Sequence, residues 1–354
     1  MRICVVGAGA IGGFLAGKLA LAGHDVCAIA RGAHLDAIRH DGLTLVDQHG
    51  GVERGIRLRA ETAAHAGALG AQDLVVLALK SHQLADAAPM LGPLYGPETP
   101  VVALQNGLPW WYFEGRPGRW AGRRLESVDP GGRIAAHLPQ RRVIGSVAHK
   151  GAEVVAPGVV RHTVTPADRF PLGEPDGSRS ARVVAISEVF ERAGVAAPVT
   201  TDIRTEKWFK LWGNLVWNPV CALTRATVLE VHELPVAREL GVTLMLEARE
   251  LARRLGVEIP GTPEQRLARA LEIGSVKPSM LQDVEAGRPL EVDALLGVLV
   301  ELADLTETPI PSIRAIHACA KLLDTVAVDG RARRASPRAD PKLPVSAPAS
   351  APTS

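Results

Sequence analysis

The stretch MRICVVGAGAIGGFLAGKLALAGHDVCAIAR, residues 1–31, decides the fold of this chain. Its apolar run from Ile3 to Val6 predicts a buried parallel strand that leads into the spacing G-x-G-x-x-G. Glycines with this spacing permit a tight turn, a close approach of the backbone to a pyrophosphate, and close packing of helix on strand, while the helix N-terminus offers free N–H groups. The candidate cofactor-binding residues of this turn are Gly7, Gly9, Ala10, Ile11 and Gly12.

A glycine-rich turn alone can serve a purely steric purpose, so the flanking pattern matters. Phe14 to Leu21 continues as a helix, Ala22-Gly23-His24 is a turn, and Asp25 to Ala30 reads as a second apolar strand. The stretch therefore predicts a βαβ unit that binds a dinucleotide.

The residue after the second strand bears on which dinucleotide binds. An NAD site usually has Asp or Glu there to accept from the ribose 2′-hydroxyl, whereas this chain has Arg31. A guanidinium suits a 2′-phosphate, so Arg31 favours NADP. The alternative is that Arg31 is a solvated loop cation and that NAD is the cofactor.

Composition excludes several classes of function. A net charge of +2 gives no electrostatic case for nucleic acid or for an acidic membrane surface. The four cysteines are scattered without metal-ligand spacing, which predicts no metal site and a reducing compartment. With no signal peptide and no apolar run of transmembrane length, we expect a soluble cytoplasmic protein. The sequence leaves open whether the protein forms a homodimer.

Two further buried strands end in polar residues. Asp73 to Leu79 runs into Lys80, and Pro100 to Leu104 runs into Gln105-Asn106-Gly107. The carboxyl ends of parallel strands border the ligand crevice of an open α/β sheet, so Lys80 and Asn106 are candidate cofactor contacts. An isolated Asn-Gly is equally often only a turn.

The segment PWWYF, residues 109–113, concentrates aromatic side chains directly after Asn106. Two interpretations stay open: these rings wall an apolar substrate pocket, or they anchor a long loop to the body of the protein.

The remaining pattern divides the chain into three parts. Short β-branched runs from residue 142 predict antiparallel strands that extend the sheet, and beyond residue 198 the chain reads as almost entirely helical. We predict an α/β fold with a Rossmann-type dinucleotide-binding domain over residues 1–198 and a helical substrate domain over residues 199–328. Residues 329–354, rich in Arg, Ala, Ser and Pro, are predicted to be a disordered tail.

The first helix of the second domain is predicted from Ile203 to about Leu223, with Asp202 as its N-cap. Lys210, Asn214 and Asn218 stand at i, i+4 and i+8, so one helical face carries an amine and two carboxamides. Such a stripe is either an ordinary solvated face or the lining of a pocket. Its apolar neighbours favour the pocket.

Several of these segments together resemble the ketopantoate reductase (2-dehydropantoate 2-reductase) family from Met1 to about Leu323. The matched motifs are GAGAIG, the arginine after the second strand, LALKSHQ, LQNG, EKWFKLWGNLVWNP and SMLQDVEAGRPLEVD. The last two, with their mutual spacing, are far more specific than the glycine loop.

The resemblance implies roles for individual residues. It makes Lys210 the general acid that protonates the substrate carbonyl and Glu291 the acid that orients substrate and lysine, beside the cofactor. Without the resemblance, Glu291 would read as a structural carboxylate in a first helical turn. The implied substrate contacts are Asn106, Asn214, Asn218 and Ser279, with Ser279 as the contact to the substrate carboxylate. Lys80 and Asn106 would border the nicotinamide ribose.

The leading hypothesis is therefore NADPH-dependent reduction of ketopantoate to (R)-pantoate. Reduction of a 2-keto acid places negative charge on the carbonyl oxygen, which an ammonium both neutralises and protonates. One alternative is a D-2-hydroxyacid dehydrogenase for a bulkier keto acid, with PWWYF in its pocket. An alternative of another class is a nucleotide sensor that binds NADP(H) without turnover.

Overall fold

The computed structural model describes residues 1–335, with side-chain surroundings given for residues 1–327. The strands are β1 Arg2–Val6, β2 Asp25–Ile29, β3 Leu43–Asp47, β4 Val52–Ile56, β5 Arg59–Glu61, β6 Leu74–Leu77, β7 Val101–Ala103, β8 Val143–Ser146, β9 Ala152–Ala156, β10 Val159–His162 and β11 Leu172–Gly173. The helices of the first part are α1 Ala10–Leu21, α2 Gly32–Asp41, α3 Ser81–Ala87, α4 Arg133–His137 and α5 Ala181–Arg192.

The second part is helical. Its helices are α6 Ile203–Thr224, α7 Val228–Glu233, α8 Pro235–Arg254, α9 Pro263–Ala268, α10 Ala270–Ile273, α11 Ser279–Glu285, α12 Val298–Thr306 and α13 Pro311–Ala335. A π-helical turn, Asp293–Gly297, precedes α12. Within residues 1–335 no helix combines the length and the apolar character needed to cross a bilayer.

The main sheet has seven strands in the order β5-β2-β1-β6-β7-β8-β11. All neighbours pair in parallel except β8 and β11, which are antiparallel. The strand order reverses beside β1, where β2 lies on one side and β6 on the other, and ligands of open α/β sheets bind at such a switch point. The predicted α/β class with a Rossmann-type domain and a helical domain is confirmed.

A second sheet corrects part of the sequence interpretation. β9 and β10 do not extend the main sheet; they join β3 and β4 in a four-stranded sheet ordered β4-β3-β10-β9. Helix α1 packs on this sheet through its glycines, because a β-carbon at Gly13 would lie 2.9 Å from Val160 and one at Gly17 2.8 Å from Leu45. The short β-branched runs in β9 and β10 predict strands but not their partners.

The C-terminal boundary also differs from the prediction. Helix α13 runs to Ala335, so residues 329–335 of the expected tail are helical. Alanine and arginine are good helix formers, and the first proline of the tail comes only at residue 337. The rest of the predicted tail, residues 336–354, lies outside the described residues.

The core consists of two layers that the main sheet separates. Cys4 and Val6 of β1 join the cluster that also contains the helical domain, whereas Ile3 and Val5 join the cluster with α1 and α5. Alternate residues of a strand face opposite sides, so β1 is buried on both faces. The helical domain thus shares one continuous apolar core with one face of the sheet.

Candidate active site

The glycine turn forms an open cradle at the end of β1. Gly7 has φ +96°, and a β-carbon on it would lie 2.8 Å from the backbone nitrogen of Leu79; a β-carbon on Gly12 would lie 2.1 Å from the carbonyl oxygen of Gly7. Gly9, in contrast, has nothing within 4 Å of its β-carbon position. No side chain caps α1 at Gly9, so the first N–H groups of the helix, at Ala10 and beyond, are available to an anion. These features fit a dinucleotide pyrophosphate.

Arg31 lies just beyond β2, at the N-cap of α2, and its side chain is exposed. Its guanidinium makes no hydrogen bond or ion pair with any of residues 1–327. The neighbouring Arg39 differs, since it binds Glu61 and the carbonyl oxygen of Ala60. Arg31 therefore holds a positive charge at the position where the second strand of a dinucleotide fold meets the ribose.

Lys210 projects from α6 into a cleft between the two domains. The predicted start of α6 is correct, because the Asp202 side chain accepts a hydrogen bond from the backbone of Thr205 at 3.0 Å. Two turns further along, the Lys210 Nζ donates to the carbonyl oxygen of Ala148 at 2.6 Å. The cleft is lined by Leu104, Gln105, Asn106, Gly107, Val147, Ala148, Lys207 and Lys210.

The surroundings of Lys210 tune its proton affinity. The pKa of Lys210 is lowered to about 8, because burial and the positive charge of Arg266 lower it more than the Glu291 carboxylate raises it. An ammonium with this pKa is protonated at neutral pH and can still release its proton.

Glu291 connects the two domains at the same cleft. It is 8 % exposed, and its Oε1 accepts from the Ser81 backbone N–H at 3.1 Å while Oε2 accepts from Asn106 Nδ2 at 3.4 Å. Ser81 begins α3 and Asn106 follows β7, so the carboxylate is held by two strand ends of the sheet. The structure thus places Glu291 against Asn106, which lines the cleft together with Lys210.

Lys80 and Asp283 form a second link across the cleft. The Lys80 ammonium contacts the Asp283 carboxylate, which is buried and also accepts from Arg288 Nε at 2.8 Å. Lys80 therefore lies at the carboxyl end of β6 as the sequence predicts, but it is already paired with an anion.

Asn218 and Ser279 lie together further along α6. Asn218 is 4 % exposed, and its Oδ1 accepts from the Ser279 hydroxyl at 3.1 Å and from the backbone N–H of Met280 at 3.1 Å. Asn214, one turn nearer to Lys210, is half-buried and its carboxamide bonds to none of the described residues. Ser279 has a single hydroxyl proton, which it donates in this hydrogen bond to Asn218.

Sequence reasoning missed a second lysine in the cleft. Lys207 is 3 % exposed, and its Nζ donates to the carbonyl oxygen of Gln105 at 2.7 Å. The pKa of Lys207 is lowered to about 7, because burial and the charge of Lys210 lower it more than the Glu291 carboxylate raises it. The signal was present in the sequence, since Lys207 precedes Lys210 by three residues and such a pair shares one helical face.

The aromatic segment is an anchor rather than a pocket wall. Trp110 to Phe113 are all at most 3 % exposed and belong to the core that joins sheet and helices. The Tyr112 hydroxyl accepts from Trp208 Nε1 at 2.8 Å, and Trp111 packs so closely on Gly145 that a β-carbon there would lie 2.4 Å from its ring. None of these rings lines the cleft beside Lys210.

Comparison with known proteins identifies the family. The model of the ketopantoate reductase PanE/ApbA domain matches residues 3–110, and that of the C-terminal domain of the same family matches residues 202–324. A 2-dehydropantoate 2-reductase of Mesorhizobium japonicum is 49 % identical over 324 residues, which is 91 % of this chain and 98 % of that protein.

Solved structures agree with this assignment. A candidate ketopantoate reductase from Ralstonia solanacearum MolK2 superimposes with a TM-score of 0.85 at 41 % identity, covering 92 % of this chain and 98 % of that one. A D-mandelate dehydrogenase, solved with NADH and anilino(oxo)acetate, has a TM-score of 0.78 at 19 % identity over 92 % of this chain and 99 % of its own. The second likeness shows the fold alone. With a glycine cradle, a cleft between the domains and both family domains matched, this chain belongs to the ketopantoate reductase family of dinucleotide-dependent oxidoreductases.

Proposed function

We propose that the protein reduces 2-dehydropantoate to (R)-pantoate with NADPH. The near full-length identity of 49 % to a 2-dehydropantoate 2-reductase supports the substrate. The observation that carries the reaction class is the Lys210 ammonium, held in the cleft beside Glu291 with a pKa of about 8.

Lys210 serves as the general acid. In the reaction a hydride adds to the carbonyl carbon and a proton adds to the carbonyl oxygen, so a ketone becomes a secondary alcohol. NADPH, when bound, supplies the hydride. Lys210 supplies the proton and becomes a neutral amine, and its positive charge stabilises the oxygen while negative charge develops there.

Glu291 positions the acid and keeps it charged. Its carboxylate is held by Ser81 and Asn106 from the sheet side, and its negative charge raises the pKa of Lys210 after burial has lowered it. Without the carboxylate, the buried lysine would lose its proton to water at lower pH.

The cofactor assignment to NADPH rests on Arg31. The residues that would hold the dinucleotide are those of the glycine turn, with Lys80, Asn106 and Glu291 on the nicotinamide side of the crevice. Arg31 has no anionic partner within the described side chains, which leaves it available for a 2′-phosphate.

The substrate would lie between Lys210 and the polar residues that continue along α6. Asn106, Asn214 and Asn218 offer carboxamides for hydrogen bonding to the substrate, as the family resemblance implies. Ser279 as a carboxylate contact remains a prediction, and it requires the hydroxyl to turn away from Asn218.

The alternative of a reductase for bulky aromatic keto acids loses its support from the sequence. It depended on PWWYF as a pocket wall, and those side chains are buried in the core. Reduction of bulky aromatic keto acids is therefore kept only as one possible result of the activity assay described next.

The test is a spectrophotometric assay of the purified protein with ketopantoate and phenylpyruvate, each with NADPH and with NADH. We expect turnover with ketopantoate and NADPH at well above the rate of the other three combinations. Turnover with phenylpyruvate alone would contradict the proposed substrate, and the lack of turnover with any 2-keto acid would favour a nucleotide sensor.

The role of Lys210 has its own test. We expect Lys210→Ala to lower kcat by about 10²- to 10⁴-fold, the usual effect of a positioned general acid, while the Kd for NADPH changes little. Stopped-flow turnover and fluorescence titration with NADPH measure the two quantities. A variant that keeps most of its kcat would remove Lys210 from this role.

A further inference from the structure

His34 connects the glycine turn to the second sheet. The residue lies in the first turn of α2, three positions after Arg31, and it is half-buried. Its Nε2 lies 2.6 Å from the carbonyl oxygen of Ala8, and its Nδ1 accepts a hydrogen bond from the backbone N–H of Gly158 at 3.0 Å. One imidazole thus joins α2 to the turn that follows β1 and to the turn between β9 and β10.

The two partners fix the protonation state of the ring. A backbone N–H can only donate, so Nδ1 of His34 must carry a free lone pair, and a carbonyl oxygen can only accept, so Nε2 must carry the proton. The neutral Nε2–H form of the imidazole is therefore the one that satisfies both contacts. Burial lowers the pKa of His34, and the hydrogen bond to Ala8 raises it by less, which keeps the ring neutral at neutral pH.

The second sheet anchors this ring. Gly158 has φ +73°, and its carbonyl oxygen accepts from the backbone N–H of Thr44 in β3 at 2.8 Å. The turn also packs on α2, since a β-carbon at Gly158 would lie 3.0 Å from the β-carbon of Ala37. His34 is therefore held from two sides, by its own helix and by the sheet that packs on α1.

The contact with Ala8 orients a peptide of the cradle. The Ala8 carbonyl oxygen precedes α1 and takes no part in its hydrogen bonds, while the Ala8 N–H donates to the carbonyl oxygen of Ile29 at 3.0 Å. Because the peptide bond between Ala8 and Gly9 is trans, the Gly9 N–H points away from the oxygen that His34 holds. Within the described part of the chain this N–H has no acceptor, and the space at the Gly9 β-carbon position is open. His34 therefore sets the direction of a free donor.

We propose that His34 is a positioning residue for the dinucleotide, whose neutral ring holds the Ala8–Gly9 peptide so that the Gly9 N–H is presented to the pyrophosphate. Free backbone N–H groups at a helix N-terminus bind such an anion, so their direction affects the affinity. The ring also ties the start of α2, and with it Arg31, to the glycine turn. The inference rests on the dinucleotide dependence of the family, and it does not depend on the substrate or on the choice between NADPH and NADH.

The first test measures cofactor affinity without substrate, by fluorescence titration at neutral pH. We expect His34→Leu, which removes both ring nitrogens, to weaken NADPH and NADH binding by the same factor, roughly 10-fold, as for loss of one or two hydrogen bonds. The factors should be equal because both cofactors carry the pyrophosphate. His34→Gln should lose only about threefold, since its terminal amide can still donate to the Ala8 carbonyl oxygen.

Two comparisons separate this role from a purely structural one. His40→Gln changes a histidine of the same helix whose ring bonds only to Asp41 among the described residues, so the affinity for both cofactors should not change. At saturating NADPH, His34→Leu should keep kcat and the KM for the keto acid within about twofold of the wild type, while the KM for NADPH rises. Urea unfolding shows whether each variant is folded.

The protonation state of the ring can be measured directly. Long-range ¹H–¹⁵N correlation spectra of the free and the NADPH-bound protein should show His34 in the neutral Nε2–H form, with His34→Gln used to assign its signals. An imidazolium, or a neutral ring protonated at Nδ1, would overturn the proposal. These spectra and the His34→Gln titrations decide the matter if His34→Leu does not fold.

Unchanged affinity in the His34 variants, or a loss confined to NADPH, would also overturn the assignment, because a loss confined to NADPH would place the effect at the 2′-phosphate. Failure of the proposed function is distinguishable, since affinity and ring state are measured without turnover. A wild type that bound both cofactors but reduced no keto acid would overturn the proposed function alone. A wild type that bound neither cofactor would overturn both.

Discussion

The central residue of the site is a lysine whose charge depends on a carboxylate of another segment. Burial in the cleft lowers the pKa of Lys210 and Glu291 raises it. Neither effect can be read from the helix that carries the lysine, because Ala148, Asn106 and Glu291 come from distant parts of the chain. The sequence identifies the amine, and the fold determines its proton affinity.

The pH dependence of the reaction tests this coupling. Lys210 must be protonated to act as an acid, so kcat/KM should be level below about pH 8 and fall tenfold per pH unit above it. Glu291→Gln removes the charge that raises this pKa, so we expect the falling limb to move to lower pH. Initial rates over a pH series measure the shift. Glu301→Gln is the control, since Glu301 binds Ser127 away from the cleft. If the falling limb of the pH profile stayed in place in Glu291→Gln, the coupling between Glu291 and Lys210 would be contradicted.

Arg31 allows a second test at the level of single residues. Its guanidinium is exposed and unpaired within the described structure, so Arg31→Ala should weaken NADPH binding by about 10- to 100-fold through loss of a charged contact. NADH binding should change little. Arg39→Ala is the matched control, because Arg39 is already bound to Glu61 and Ala60. Equal weakening for both cofactors in Arg31→Ala would mean that Arg31 does not read the 2′-phosphate.

At the scale of elements, the loop that contains Asn106 packs against the π-helical turn, and their backbones approach each other more closely than at any other glycine described near the site. Gly107 has φ +73°, and a β-carbon on it would lie 1.8 Å from the carbonyl oxygen of Ala294. The partner atom belongs to the backbone and cannot rotate away as a side chain could. π-helical turns occur frequently at functional sites, and this one begins two residues after Glu291.

Gly107→Ala should therefore destabilise the protein strongly. We expect the free energy of unfolding to fall by about 3 kcal/mol or more, from the left-handed backbone and the collision together. Gly131→Ala has a similar φ of +66° with nothing within 4 Å, so it should cost only about 1 kcal/mol. Urea unfolding of both variants measures the difference, and equal costs would mean that the loop can move away from the turn.

The elements also show what sequence could and could not predict. Helix α6 was predicted within one residue at its C-terminus because Asp202 caps it and its apolar periodicity is long. The sheet that holds β9 and β10 was missed because strand pattern does not specify partners. The aromatic segment allowed two interpretations because hydrophobicity alone cannot distinguish a core from a pocket wall. Lys207 was missed because its role depends on Gln105 and Lys210, which only the fold brings around its ammonium.

At the scale of the whole molecule, the two domains share one apolar core. Trp111 and Tyr112 from the first domain lie in the same buried cluster as Trp208 and Trp212 from α6. The parallel bridge between Leu172 and Val199 also keeps the connecting segment on the edge of the sheet. The predicted domain boundary at residue 198 thus separates two sets of sequence motifs, while one buried apolar cluster continues across it.

This shared core predicts cooperative unfolding. Since the helical domain and one face of the main sheet bury each other, we expect one transition in urea, with tryptophan fluorescence and far-UV circular dichroism coinciding. Loss of NADPH binding should follow the same curve. Separate midpoints for the three signals would show that the domains fold independently.

The backbone contact at Gly107 has a consequence for redesign of the enzyme. Two main chains in direct contact act as a fixed spacer between the lobe that carries the glycine cradle and the lobe that carries Lys210. Side chains around the cleft, such as Leu104 or Val147, can then be exchanged to admit other carbonyl compounds without altering that spacing. We expect libraries that vary these side chains and retain Gly107 to yield new substrate preferences at little loss of the reductase chemistry.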